Sequence, residues 1–455
     1  MIWGKYKKIH FVGIGGAGMS GIAEILHNLG FEITGSDIQE SEVIDYLRSI
    51  GIKIFIGHKP ENVNMADVMV ISSAIKEDNI EVKTAREMQI PVIKRAEMLA
   101  ELMRMKYSIA VSGAHGKTTT TSMLGEVLTH AGLDPTVIVG GKVMGAQSGA
   151  RVGKSNFLVA EADESDMSFL KLFPTIAVIT NIDLEHVDTY GNLEHIKQAF
   201  VEFANKVPFY GSCIINLDWE TNTSILPLIE RKKITYGISR QAEIRAEDIK
   251  LEGFSSSYSL YIGSKNIGRV HLNIPGIHNV VNSLTAIAVA IELNIPINKV
   301  IEGLEHFKGV KRRLEVKGEK NGILVIDDYG HHPTEIITTL NAIKNFWKGR
   351  IVVVFQPHRY TRTRDLYEKF GPAFMDSDLV YILPIYPAGE RPIEGITHEL
   401  IYNAVKRAGH KHVKMLNSQE GCLKELKKEI KKGDLLLTQG AGNVYKIGER
   451  FLNED

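Results

Sequence analysis

At 455 residues, 44% apolar and 24% charged, the sequence has the profile of a folded soluble protein, too long for one ordinary core and long enough for two to four domains. Lys plus Arg and Asp plus Glu each number 54, so no whole-molecule field draws nucleic acid or an anionic membrane, and an anionic ligand needs a local site. The two cysteines, Cys213 and Cys422, are far apart with no metal-type spacing, which suits a reducing cytoplasmic compartment.

The chain opens MIWGKYKKIHFVGIGG. Its apolar stretch is broken by glycines after four residues, so it reads as a first strand rather than a signal peptide. No run approaches the roughly 18 apolar residues of a membrane span. A strand at Ile9 to Val12, the turn GIGGAG and a helical pattern through Ile22, Ile25, Leu26 and Leu29 follow one another. Gly13, Gly15 and Gly18 match the pyrophosphate-binding fingerprint, and a second strand, Phe31 to Thr34, ends at Ser36 and Asp37, where a ribose-binding acid is expected. That grammar fits a nicotinamide cofactor or any nucleoside diphosphate. A third strand, Val68 to Ile71, ends in Ser72 and Ser73; the pair serves either as ligand contacts beyond a strand end or as turn initiators. A helix from Arg95 to about Met103 closes this unit, and Arg104 to Lys106 reads as a linker.

The next stretch, IAVSGAHGKTTTT from Ile109 to Thr121, is a short apolar strand, a glycine-bracketed turn and a helix start. Gly113 and Gly116 allow a tight turn with inward N–H groups, and the helix offers its positive end to phosphate. Lys117 would reach the β/γ-phosphates and the Thr118 hydroxyl would ligand Mg²⁺. Only two residues separate the glycines instead of four, a shortened form of the usual loop. Phe157 to Ala160 is a strand ending in Glu161, with Asp163, Glu164 and Asp166 behind it; Glu161, at the strand edge, is the expected metal-linked acid. Ala177 to Thr180 then leads into NIDLEHVDTYGN. There His186 reads as a surface histidine on chemistry alone, since Mg²⁺ prefers oxygen. From Arg231 to Val270 short apolar and polar runs alternate between glycines and serines, like antiparallel strands on the domain's edge. PGIHNVVNSLTA begins an apolar helix whose Asn279 and Asn282 share one face, as caps or as readers of a nucleobase edge.

Beyond Gly309 comes GVKRRLEV, with Arg312 and Arg313, then a strand Ile323 to Ile326 ending in Asp327, Asp328, Tyr329, His331 and His332. Pro333 starts a helix. The strand Ile351 to Phe355 presents His358, Arg359, Arg362 and Arg364; two more strands end in PIYPAGERP and QGAGN. Repeated β–α alternation predicts a third doubly wound domain with its loops on one edge. The fold class is therefore α/β in three tandem domains. They are an N-terminal Rossmann-like domain (1–105), a central P-loop ATPase-like domain with a parallel sheet plus a small antiparallel sheet (106–309), and a C-terminal Rossmann-like domain (310–455). A simple kinase or ATPase would not need the first domain, and a dehydrogenase would not need the second.

HFVGIGGAGMSGIA, SGAHGKTTTT, EADESD, TNIDLEHVDTYG, PGIHNVVNSLTA, DDYGHHPTE, FQPHRYTRTRD and TQGAGN together resemble the Mur ligases of peptidoglycan synthesis over essentially the whole chain. The resemblance implies an ATP-driven carboxylate–amine ligase. The lactyl carboxylate of UDP-N-acetylmuramate takes the γ-phosphoryl of ATP, and the amine of L-alanine displaces phosphate from the acyl phosphate. It implies that Gly13, Gly15, Gly16, Ala17, Gly18, Met19, Asp37, Ser72 and Ser73 hold the UDP sugar in the first domain. Gly113, Ala114, His115, Gly116, Lys117, Thr118 and Thr119 would hold the ATP phosphates, with Asn279 and Asn282 at adenine and Arg313 and Asp327 at ribose or phosphates. Thr118 with Glu161 is implied for one Mg²⁺ and His186 for a second, Mn²⁺ being an alternative. Tyr329, His331, Arg359 and Arg362 would approach alanine and the acyl phosphate, which makes Lys117, His186, His331, Arg359 and Arg362 the expected catalytic set. Several relatives carry a carbamylated lysine in the helix after the His186 loop; here that place falls near Phe200, which cannot hold a carbamate. The paralogue that joins a tripeptide to the same sugar differs in its opening glycine loop, which favours alanine. A regulatory ATPase is the non-ligase alternative. The expected species is a cytoplasmic monomer or homodimer with no membrane or nucleic-acid partner.

Overall fold

The structure is a computed structural model that describes every residue except 1, 2, 5, 65, 73, 141–148, 185, 186 and 455, and only the backbone of 17, 187 and 188. Ser73 and His186 therefore lie outside the described residues, as does the side chain of Ala17. The chain forms two compact units, Met1–Asp248 with Tyr258–Val270 and Val281–Phe307, and Ile249–Ser257 with His271–Val280 and Lys308–Asp455.

The first unit carries two sheets. One is built from β1 (Lys8–Val12), β2 (Glu32–Asp37), β3 (Lys53–Ile56), β4 (Val68–Ile71) and β5 (Val92–Lys94), all parallel in the order β3-β2-β1-β4-β5. Strand order reverses between β1 and β4, so the glycine turn after β1 and Ser72 after β4 flank the switch point where such sheets bind ligands. The helix Ala17–Asn28 follows the turn and buries Met19, Ile22, Ala23 and Leu26 against the sheet.

The second sheet contains β6 (Tyr107–Ser112), β7 (Thr136–Ile138), β8 (Ala150–Arg151), β9 (Phe157–Glu161), β10 (Ile176–Ile179), β11 (Ser212–Asn216), β12 (Lys233–Gly237), β13 (Ile244–Glu252), β14 (Ser255–Ile262) and β15 (Lys265–Leu272). Its order is β15-β14-β13-β12-β11-β10-β6-β9-β7-β8. The edge strands expected between Arg231 and Val270 extend this sheet rather than standing apart. Strand β13 pairs parallel with β12, and two-residue turns opening on Gly253 and Gly263, both left-handed, return the chain as hairpins. The phosphate-loop strand β6 lies between β10 and β9, buried on both faces, as its apolar run IAV requires. One apolar cluster runs through both sheets, from Ile9 and Leu26 through Leu99 and Met103 to Leu158 and Phe200. The carbamate position thus holds a core phenyl ring, 1% exposed, packed on Phe169.

The second unit has one sheet, β16 (Glu315–Lys320), β17 (Ile323–Asp328), β18 (Ile351–Phe355), β19 (Leu379–Ile382), β20 (Val413–Met415) and β21 (Leu435–Gln439), ordered β16-β17-β21-β18-β19-β20. All neighbours are parallel except β16 with β17. Apolar clusters cover both faces. Because β17, β21 and β18 are adjacent, the loops DDYGHH, QGAGN and QPHRYTR emerge side by side. Among the described residues no helix is long and apolar enough to cross a membrane.

Candidate active site

The glycine turn of the first sheet is fixed by the end of β2. Gly13 N–H and Ile14 N–H donate to the Ser36 carbonyl at 2.8 and 3.1 Å, and Gly15 N–H donates to Asp37 Oδ2 at 2.9 Å. Asp37, expected at a ribose, thus spends one oxygen on the turn, while its Oδ1 accepts from Ile38 N–H. Gly16 precedes the helix and donates to Gly13 O. A Cβ on Gly18 would lie 3.0 Å from Arg95 Cδ and Nη1, so the third glycine makes room for an arginine. Met19, expected at the UDP sugar, has its side chain buried in the core at 1% exposure. Ser72 Oγ accepts from Ala74 N–H at 3.3 Å, the turn-forming role, and sits beside Gly13.

The phosphate cradle follows β6. Gly113 (φ +137°) and Gly116 (φ +82°) adopt backbone conformations open to glycine. The loop is held from the end of β10. Ala114 N–H and His115 N–H donate to Asn181 O and Oδ1 at 3.0 and 2.8 Å, while Thr180 Oγ1 and Asn181 Nδ2 donate to His115 O at 2.8 and 2.9 Å. Lys117 Nζ donates to Gly113 O (2.6 Å), Ala114 O (3.3 Å) and Glu164 Oε1 (2.9 Å). Burial opposes the lysine's charge, but Glu164 and Glu161 outweigh it and hold the ammonium well above its ordinary range. Burial and Asp163 push the Glu164 carboxyl up to about 7, against the pull of Lys117. We take Lys117 to stay charged, since its three protons meet three acceptors.

Thr118 Oγ1 donates to Glu161 Oε2 at 3.0 Å, and Gly140 N–H donates to the same oxygen at 2.9 Å. A hydroxyl and a carboxylate side by side at a phosphate loop are the hard oxygen ligands Mg²⁺ takes, so these residues fit that ion. Thr119 is buried beneath the loop. Asn282 approaches the cradle, its Oδ1 3.0 Å from where a Cβ on Gly116 would be. Asn279, on the same helix Ile277–Glu292, donates from Nδ2 to Pro275 O at 2.7 Å.

In the second unit the ends of β17 and β18 converge. His331 lies between Tyr329 (centroids 5.6 Å) and His358 (5.4 Å), and His358 stacks on Tyr386 at 5.8 Å and 9°. Arg362 Nη1 lies 3.2 Å from His358 Nδ1, and exposed Arg359 has φ +71°, its N–H donating to Tyr386 O at 2.8 Å. Burial, with Arg362 nearby, holds His331 down to about 3 and His358 to about 4, so both rings are neutral near neutrality. His331 Nδ1 lies 3.1 Å from the Tyr329 carbonyl. A carbonyl only accepts, so Nδ1 carries the hydrogen and Nε2 keeps its lone pair.

Arg313 Nη1 donates to Glu335 Oε1 at 3.3 Å. Asp327, expected at the nucleotide, is fully buried and receives Arg312 Nε at 2.8 Å and Thr438 Oγ1 at 2.7 Å. The residue it serves is Arg312, which also donates to Gly440 O (2.6 Å) and Gly442 O (3.1 Å) and lies between the rings of Tyr329 and Tyr445.

Three family descriptions match successive stretches: "Mur ligase family, catalytic domain" over residues 8–107, "Mur ligase middle domain" over 111–290, and "Mur ligase, glutamate ligase domain" over 312–442. A UDP-N-acetylmuramate--L-alanine ligase of Desulfatibacillum aliphaticivorans is 53% identical over 98% of both chains. The chain belongs to the Mur ligase family. A second relative of this Mur ligase, the enzyme of that name from Geobacter sp. (strain M21), is 54% identical over 99% of this chain and 98% of its own. Among solved structures, the UDP-N-acetylmuramate-alanine ligase of Thermotoga maritima matches with a TM-score of 0.82 at 31% identity, covering 98% of each chain. A murein peptide ligase of Psychrobacter arcticus matches at 0.71 and 24% identity over 98% of each chain, a likeness of fold.

Several residues that shape the sites of this Mur ligase were not singled out from sequence. Thr180 and Asn181 brace the phosphate loop from 65 or more residues away, a relation set by strands β6 and β10 being neighbours. Glu164 was passed over for Glu161, although both stand in the acidic run EADESD. Glu335 reads as a helix-start acid, yet it ties the His331 loop by accepting from the N–H groups of His331 and His332 at 2.9 and 3.2 Å. Tyr386 carried no signal beyond its proline-rich loop.

Proposed function

We propose that the chain is an ADP-forming acid–amino acid ligase that joins L-alanine to the lactyl carboxylate of UDP-N-acetylmuramate at the expense of ATP, in the cytoplasmic stage of peptidoglycan synthesis. The observation that carries the substrate choice is the likeness to enzymes of that name at 53–54% identity over nearly the full length of both chains. In this reading the UDP sugar belongs to 1–105, ATP to 106–309 and the amino acid to 310–455.

A carboxylate is a poor acyl donor, and transfer of the γ-phosphoryl group to its oxygen, with ADP leaving, supplies a leaving group. The amine nitrogen then adds to the carbonyl carbon, and collapse expels phosphate and forms the amide. Charge builds on the transferring phosphoryl and on the tetrahedral oxygen, so positioned cations carry most of the catalysis. Lys117, held over the loop mouth, would neutralise the γ-phosphoryl group. Thr118 and Glu161 would hold a Mg²⁺ ion, which when bound screens the phosphate oxygens from the incoming carboxylate. A second ion on His186 belongs to the same reading. Arg359 and Arg362 would hold the amino-acid carboxylate and acyl phosphate, with Tyr329 beside them, while the lone pair of His331 Nε2 would accept a hydrogen bond from the alanine nitrogen and orient it. Asn279, Asn282 and Arg313 would meet the nucleotide.

Phosphate release from ATP that requires both UDP-N-acetylmuramate and L-alanine is the expected result. Release without the sugar, or only with a tripeptide in place of alanine, would overturn the assignment. Transfer of labelled carboxylate oxygen into phosphate separates a ligase from a regulatory ATPase, because only an acyl phosphate moves that oxygen.

A further inference from the structure

Below the glycine turn lies a buried ionic cluster that the proposed reaction leaves without a task. Glu81, the second residue of the helix Ile80–Glu87, is fully buried, and its carboxylate gathers donors from three other stretches of chain. Oε2 accepts from Ser36 Oγ at 2.6 Å and lies 3.3 Å from His58 Nδ1 and 3.6 Å from His10 Nε2. Oε1 accepts from Asn62 Nδ2 at 2.5 Å and Lys59 N–H at 3.2 Å. Burial works against ionisation, but the His10 ring beside it and hydrogen bonds from Ser36 and Asn62 outweigh it and hold the carboxyl at about 2.

A buried carboxylate is a costly way to stabilise a fold, since apolar residues of similar volume commonly do as well. What these bonds share is their destination. Ser36 presents the carbonyl that receives Gly13 N–H and Ile14 N–H, and the next residue, Asp37, receives Gly15 N–H. Asn62 also donates to Gly57 O at 3.1 Å, and Gly57 N–H donates back to Asp37 O at 2.8 Å. Both sides of residues 36–37 are thus tied to one carboxylate, and those two residues shape the turn.

We infer that Glu81 is a positioning residue for the UDP sugar: acting through Ser36, it fixes the shape of the glycine turn without touching the ligand. The inference rests on the reading that this turn holds the UDP sugar. It predicts a split between ligands. In Glu81→Gln, which keeps shape but loses the charge, the dissociation constant for UDP-N-acetylmuramate measured by calorimetry rises about tenfold or more, the cost of losing a hydrogen bond to a charged group. The KM for ATP and kcat at saturating sugar stay within about twofold. Ser36→Ala, which cuts the carboxylate's link to the turn together with the hydroxyl's 3.2 Å contact with His58 Nδ1 and leaves Glu81 its other donors, moves sugar affinity alone in the same direction and serves if the first variant does not fold. Unchanged sugar affinity in the folded variants, with or without a lower melting temperature, overturns the inference, and so does a rise shared equally by sugar and ATP. Failure of the unaltered chain to bind the sugar overturns both this inference and the substrate reading.

Discussion

Replacing Lys117 by methionine keeps most of the unbranched side chain and removes three hydrogen bonds, to Gly113 O, Ala114 O and Glu164 Oε1. Two effects follow, and they differ in size. Loss of one preorganised donor at a site of developing charge costs about 10²–10³ in rate, and loss of a full positive charge at a transferring phosphoryl about 10³–10⁵. Turnover should therefore fall at least about a thousandfold, on the order of 4 kcal/mol of transition-state stabilisation. The effect on the fold is smaller. Stranding a buried charge costs about 3–5 kcal/mol, but Glu164 already sits near 7 by burial and by Asp163, so without its cation it takes up a proton instead. The expected loss of stability is then nearer the roughly 1–3 kcal/mol of broken hydrogen bonds. The assay is phosphate release at saturating ATP, sugar and alanine, paired with calorimetric titration of the sugar, whose affinity should stay within about twofold because none of the contacts fixing its turn involves Lys117. A variant retaining turnover within about tenfold of the original would refute the role of the lysine, and a parallel loss of sugar affinity would refute the separation of the two sites.

Glu161→Gln keeps the hydrogen bonds of the strand edge and removes a negative ligand, so half-saturating Mg²⁺ in the same assay should rise about tenfold or more; an unchanged requirement would exclude this carboxylate as a ligand. In Gly113→Ala the new methyl would lie 2.1 Å from Thr180 Oγ1 and under 3 Å from the Asn181 backbone at φ +137°, so nucleotide binding should be lost and the melting temperature should fall. Normal ATP affinity in that variant would show the loop to be adaptable. His331 and His358 are held below their ordinary 6.5, at about 3 and 4. The unfolded chain therefore binds more protons below 6.5, and the fold loses stability as pH falls from there towards about 4. His358→Gln should flatten that limb in denaturant titrations, and an unaltered slope would refute it.

Strand, glycine turn and helix order was legible because each obeys a local rule: an apolar run for a strand buried on both faces, glycines where the backbone turns left-handed, cap residues at helix starts. The edge on which the loops gather followed from parallel β–α alternation. Partnership across the sheet was not legible. Asn181 meets the phosphate loop only because β10 lies beside β6, and Arg312 reaches Gly440 and Gly442 because β17 lies beside β21. Asp37 and Asp327 carried the right residue type for a ribose acid; in the fold Asp327 serves neighbouring protein groups and Asp37 spends an oxygen on its turn, a choice set by what lies within 3 Å. Of two acids three residues apart, Glu161 was legible as the end of an apolar strand, whereas nothing local showed that Glu164 turns towards Lys117. The continuous cluster through both sheets of the first unit was likewise hidden, since apolar residues do not announce which sheet they will meet.

The brace on His115 has a kinetic meaning. Four hydrogen bonds from Thr180 and Asn181 fix both N–H groups and the carbonyl at the loop's centre, from a strand end that is itself 3% and 7% exposed. A loop shaped by its own sheet has little disorder left to surrender when an anion arrives, so its association step should carry no slow ordering phase. Loosening the brace, as in Asn181→Ala, would move that ordering into the binding event. Nucleotide would then dissociate faster and bind with a more unfavourable entropy while touching the same atoms as before.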